Sequence, residues 1–77
     1  GQEASGIVSL SEAGNFHAHK GLGLVGDIFS DAKVMASLPG TAAIGHNRYA
    51  TTGETALRNV QPLYADFEFG GFAVGHN

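Results

Sequence analysis

A chain of 77 residues, 43% hydrophobic and 14% charged, is long enough for one small domain. Such a domain buries roughly 60–65% of its unfolded surface and is marginally stable alone. A formal net charge of −3, with the basic residues Lys20, Lys33, Arg48 and Arg58 scattered, argues against a binder of phosphate backbones. No apolar run approaches the roughly 20 residues of a membrane helix, no signal peptide is visible, and without cysteine there is no disulfide frame.

In chain order, Ala4 to Leu10 reads as a short strand, and Ser11-Glu12-Ala13-Gly14-Asn15 has hairpin chemistry. The alternating Phe16-His17-Ala18-His19-Lys20 is its expected partner. Gly21 to Asp27 reads as a glycine loop. Ser30 or Asp31 can cap one short helix running to Leu38, with Val34, Met35 and Leu38 on one face and Pro39-Gly40 ending it. Thr41 to Tyr49 is predicted as a second, buried strand, Ala50 to Pro62 as a long irregular loop, and Phe69 to His76 as a further strand. A loop of that length in so small a piece points to function. The chain opens on Gly1 and stops two residues past the apolar Gly71–Gly75, which reads as an internal segment of a longer protein.

Three constellations can carry chemistry. Gly21-Leu22-Gly23-Leu24-Val25-Gly26 is a literal G-x-G-x-x-G. A dinucleotide fingerprint also needs a buried parallel strand before it, a helix opening at once, and an acid about 20 residues on. The preceding strand is polar and no acid lies between Asp31 and Glu54, so a bent structural loop is the better reading. His17, His19, His46 and His76 form the second set. His17 and His19 share one face of a strand, but no fixed carboxylate partner is identifiable, and structural histidines are favoured over a metal site.

The third constellation is a pair of strand ends, Arg48 with Thr51 and His76 with Asn77. A planar guanidinium beside hydroxyls and free N–H groups suits a small carboxylate. The plainer alternative is a surface arginine beside an ordinary turn. If the two strands are neighbours in one sheet, both ends open on a single cleft. Arg48 then holds a carboxylate, while the Asn77 amide faces negative charge developing on a carbonyl oxygen.

The segments Gly1–Val8, Lys20–Phe29, Ile44–Gly53, Asn59-Val60-Gln61-Pro62 and Gly75-His76-Asn77, taken in order, resemble successive motifs of the amidophosphoribosyltransferase family. The likeness covers essentially the whole chain. It lies in the family's glutaminase domain, a class II glutamine amidotransferase of the N-terminal-nucleophile hydrolase type. Glucosamine-phosphate synthases usually carry Gly-Tyr-Asp, and asparagine synthetases Gly-Pro-Asp, where this chain has Gly1-Gln2-Glu3.

The resemblance implies an α+β fold, part of a four-layer αββα sandwich made mostly of antiparallel strands with one short helix. Residues 1–77 would form part of the amidotransferase domain, with the nucleophile segment and the transferase domain elsewhere and apolar sheet surface left uncovered. A cysteine attacks the glutamine side-chain amide, and the ammonia displaces pyrophosphate from phosphoribosyl pyrophosphate bound by the other domain. Arg48 matches the residue that binds the glutamine α-carboxylate, Thr51 the threonine beside it, and Asn77 the catalytic oxyanion-hole asparagine. Tyr49 belongs to the same substrate-binding loop and orients it.

No cofactor or metal is implied within this chain. The resemblance puts Mg2+ in the transferase domain, allows an iron–sulfur cluster in the parent, and implies a cytoplasmic homo-oligomer with no nucleic-acid or membrane partner. Asn47 departs from the pattern by replacing a small apolar residue; buried, it would need a hydrogen-bond partner. The alternative reading is a catalytically dead relative that binds glutamine or a partner, since the chain has no thiol of its own.

Overall fold

The computed structural model describes residues 2–50, 60–67 and 70–76. Strand β1 (Gln2–Leu10) is the centre of a three-stranded antiparallel sheet. On one side it pairs with β2 (Phe16–Leu22), on the other with β3 (Ala42–Ala50). The turn joining β1 to β2 closes as its residues dictate. Ser11 and Asn15 exchange hydrogen bonds through backbone and hydroxyl groups, and Gly14 takes the left-handed conformation at φ 86°.

Two short helices follow β2 where one was expected. Helix α1 (Val25–Ile28) overlaps the end of the stretch read as a glycine loop, and α2 (Ala32–Ala36) forms where the capped helix was predicted. The Asp31 carboxylate accepts the Lys33 backbone N–H at 2.8 Å, satisfying one donor that the helix itself cannot. A four-residue α1 is too short to show a helical period, so its pattern is silent in the sequence.

The remaining strands make a second, two-stranded sheet, β4 (Leu63–Phe67) against β5 (Gly70–Val74). This corrects two expectations. Residues 63–67 are a strand although the sequence reading leaves them unassigned. And β5 is not a neighbour of β3 in one sheet; it pairs with β4, while β3 is the edge strand beside β1. Edge position also explains why residues 42–45 and 47–48 of β3 are exposed, where a buried strand was predicted.

Cross-strand partners share a face, and that sorts the layers. Ala4, Gly6, Val8 and Leu10 of β1 share theirs with Phe16 and Lys20 of β2 and with Ile44, His46 and Arg48 of β3. This face carries the β4–β5 hairpin. The Phe16 and Tyr64 rings meet edge to face with centroids 5.8 Å apart, and Lys20 Nζ lies 5.9 Å from the Tyr64 centroid. Partial burial under the hairpin lowers the Lys20 pKa.

The opposite face of β1 carries Ser5, Ile7 and Ser9 and meets the helices: His19 packs edge on against Phe29, and Met35 and Leu38 line a cavity with Ile7 and Ser9. Helices, sheet and sheet thus stack in the order α, β, β. The stacking fits part of the expected sandwich, with two short helices in place of one.

The core centres on β1. Among the described residues, Ala4, Ser5, Gly6, Val8, Ser9, Val60 and Pro62 are buried, and all but the last two belong to that strand. The outer face of the second sheet carries Leu63, Phe72 and Val74, each exposed by 45% or more. Apolar sheet surface therefore does lie uncovered here.

One contact seats the hairpin layer. A Cβ on Gly6 would fall far inside contact distance of the Gln61 carbonyl oxygen and at 3.2 Å from Lys20 Cγ. The absence of a side chain at Gly6 is what lets the chain at 60–62 press onto β1. Gly6→Ala is expected to destabilise the full-length protein's glutaminase region by about 1–3 kcal/mol, the cost of overpacking. Gly26→Ala, where nothing lies within 4 Å of the added carbon, is expected to be neutral or stabilising by up to about 1 kcal/mol. Urea denaturation of both variants checks the contrast; equal destabilisation would contradict the close approach at Gly6.

Candidate functional site

Alternation along β3 places Ile44, His46 and Arg48 on the face that carries the second sheet. The strand rise separates His46 from Arg48 by roughly 7 Å. The Arg48 side chain is exposed, next to the end of the strand. Leaving β5, the chain crosses this same face. A Cβ at Gly75 would touch His46 at 3.5 Å and Ile44 at 3.7 Å, ordinary packing distances.

The backbone of His76 is then held by two side chains. His46 Nε2 lies 3.0 Å from the His76 carbonyl oxygen. A carbonyl can only accept, so His46 must donate through a protonated Nε2. On the other side of the same residue, the His76 N–H donates to Gln61 Oε1. Gln61 is itself fixed by the close approach at Gly6 and by the buried Val60 and Pro62 flanking it. Both main-chain hydrogen-bonding groups of His76, the residue immediately before Asn77, are therefore engaged.

The residues expected to form the site divide accordingly. Arg48 is described and exposed, opposite Ala4 of β1. Tyr49 is on β3 opposite Glu3, its side chain outside the described part. Thr51 and Asn77 lie outside the described residues. What the structure brings together are the close chain neighbours of the two proposed ends, His46 near Arg48 and His76 before Asn77. The two ends are connected across sheets rather than within one. Sequence reading missed His46 and Gln61 in this role. The available signal was Gln61 itself, a polar side chain set between Val60 and Pro62 at the foot of a long loop.

On the helix side, Asn47 is exposed, so its amide demands no buried partner. It lines a cavity of about 180 Å3 with Ser5, Ile7, Val25, Phe29 and Gly45. The G-x-G-x-x-G stretch is split between the end of β2 and a four-residue helix, the wrong geometry for a pyrophosphate cradle. Among the described residues, no group of three or more His, Cys, Asp or Glu side chains converges. With no cysteine in the sequence, this chain offers no thiolate to an iron–sulfur cluster. No helix of the described residues is long and apolar enough to cross a membrane.

Comparison with known proteins matches all 77 residues. The chain is 53% identical to an amidophosphoribosyltransferase of Rhizobium etli, covering 15% of that protein. It is 51% identical to a chloroplastic amidophosphoribosyltransferase of Vigna aconitifolia and 43% identical to an amidophosphoribosyltransferase of Methanothermobacter thermautotrophicus, covering 16% of each. The chain therefore spans about one sixth of the length of these relatives. A chloroplastic relative lends no support to the expected cytoplasmic setting. No family model and no solved structure matches the chain. Over all 77 residues, then, the chain is similar to one segment of amidophosphoribosyltransferases, at 43–53% identity to these three.

Proposed function

We propose that this chain is the glutamine-gripping part of a glutaminase domain, in a protein that makes phosphoribosylamine from phosphoribosyl pyrophosphate, the first step of de novo purine synthesis. One observation carries the proposal furthest: Arg48 and the backbone of His76 occupy the same face of the first sheet, linked through His46. Arg48 binds the α-carboxylate of glutamine as a two-pronged, charge-assisted pair. Thr51 supplies a hydroxyl beside it, and Tyr49 orients the loop between them. Asn77 directs its side-chain N–H groups at the amide carbonyl of the substrate, where negative charge grows as the carbonyl carbon becomes tetrahedral.

The nucleophile comes from elsewhere in the full-length protein, because this chain holds no thiol. Its thiolate attacks the amide carbon, ammonia leaves, and water releases glutamate from the thioester. The ammonia is consumed at the transferase domain, which binds phosphoribosyl pyrophosphate. By itself the 77-residue chain is inert. Relatives along the whole chain carry an enzyme's name, which favours this reading over a binding-only relative.

Two substitutions in the full-length protein separate the roles. Arg48→Ala removes binding of the carboxylate, so glutamine-dependent synthesis should lose about 10- to 100-fold in kcat/KM, mostly through KM. Synthesis from added ammonium should stay near the wild-type rate. Asn77→Ala should leave the glutamine KM nearly unchanged and lower kcat by about 100- to 1,000-fold. Steady-state kinetics with each nitrogen donor decide the matter; equal loss with glutamine and ammonium for Arg48→Ala would remove the glutamine-site assignment.

A further inference from the structure

We infer that His46 and Gln61 are positioning residues for the oxyanion donor, acting by clamping the main chain of His76. The inference rests on the reading of Asn77 given above. Three observations carry it. His46 Nε2 donates to the His76 carbonyl at 3.0 Å, and the His76 N–H donates to Gln61 Oε1. The two holding side chains come from different layers: His46 from the middle of β3, Gln61 from the segment leading into β4. Neither is free to drift. His46 stands opposite Gly6 in the β1–β3 register, and the Gln61 main chain rests on that same Gly6.

The consequence is geometric. Past Val74 the chain has left the sheet ladder, so no strand pairing fixes residues 75 and 76. Their orientation is set by side chains. Fixing both the carbonyl and the N–H of one residue restrains the peptide planes before and after it, which leaves the following Cα little rotational freedom. On this reading the clamp sets the point in the chain from which Asn77 presents its amide. A donor for a developing oxyanion must be aimed at an atom position that exists only in the transition state, so a small misdirection costs rate while substrate still binds. Side chains placed further out on the same cleft, such as Arg48, do not share this dependence.

The donor and acceptor roles make the test specific. In the full-length protein, His46→Leu and Gln61→Leu remove the donor and the acceptor. Each is expected to lower glutamine-dependent kcat by about 10- to 100-fold, the scale of a misplaced catalytic group. The glutamine KM should stay within about twofold, and ammonium-driven synthesis should be unchanged. His46→Gln keeps an N–H at the same reach and Gln61→Glu keeps an accepting oxygen, so both should recover to within about threefold of wild type.

A merely structural role predicts otherwise: loss with both nitrogen donors, and no recovery in the conservative variants. Either result overturns the clamp, as does a rise in KM with kcat unchanged. Asn77→Ala measured alongside keeps the two claims apart. If it retains the wild-type glutamine kcat, the assignment of Asn77 fails first. If it loses kcat while His46→Leu and Gln61→Leu do not, the clamp alone is wrong.

Discussion

The arrangement depends on how closely the Gln61 main chain approaches β1. Strand β1 runs through the centre of the first sheet and holds most of the buried residues, yet at Gly6 it offers bare backbone. Only there can the segment 60–62 descend onto the sheet, with Val60 and Pro62 sealing the contact on either side. The hairpin β4–β5 hangs from that point. Its inward residues Tyr64 and Ala73 then meet Phe16 and the cavity bounded by Val8 and Ile44. A methyl group at Gly6 would lift the layer and carry the Gln61 side chain away from His76.

From this single contact the candidate site follows by short steps. Register sets His46 opposite Gly6 and Arg48 opposite Ala4, two rungs of one ladder. Gln61 and His46 thereby face each other across the exit of β5 and grip the peptide between Gly75 and Asn77. The Arg48 cation stays exposed, while an amide and an imidazole do the holding.

Much of this was legible in the residues before any geometry. The first hairpin announced itself through the alternation of Phe16 to Lys20 and the Ser-Glu-Ala-Gly-Asn turn, and α2 through the Asp31 cap. The motifs around Arg48 and Asn77 pointed to the relatives that the comparison found. What stayed hidden was partnership. A strand pattern states which face is apolar but not which strand lies beside it, so pairing β3 with β5 was as plausible as pairing β3 with β1. Strand β4 escaped because its pattern is inverted: Tyr64 and Asp66 lie on the face toward the first sheet, while Leu63 points outward with Phe72 and Val74. The His76 clamp escaped for a related reason. His46 and Gln61 meet a backbone 30 and 15 residues away, and hydrogen bonds to main chain leave no trace in residue types.

A crystal structure of the full-length protein with glutamate bound tests the central claim most directly. The expected result is one amino acid spanning the gap, its α-carboxylate paired with the Arg48 guanidinium and its side-chain carboxyl within about 3 Å of the Asn77 amide. His76 should sit between His46 and Gln61 in that structure as it does here. Glutamate bound away from Arg48, or Asn77 turned to the helix side of the first sheet, would contradict the account.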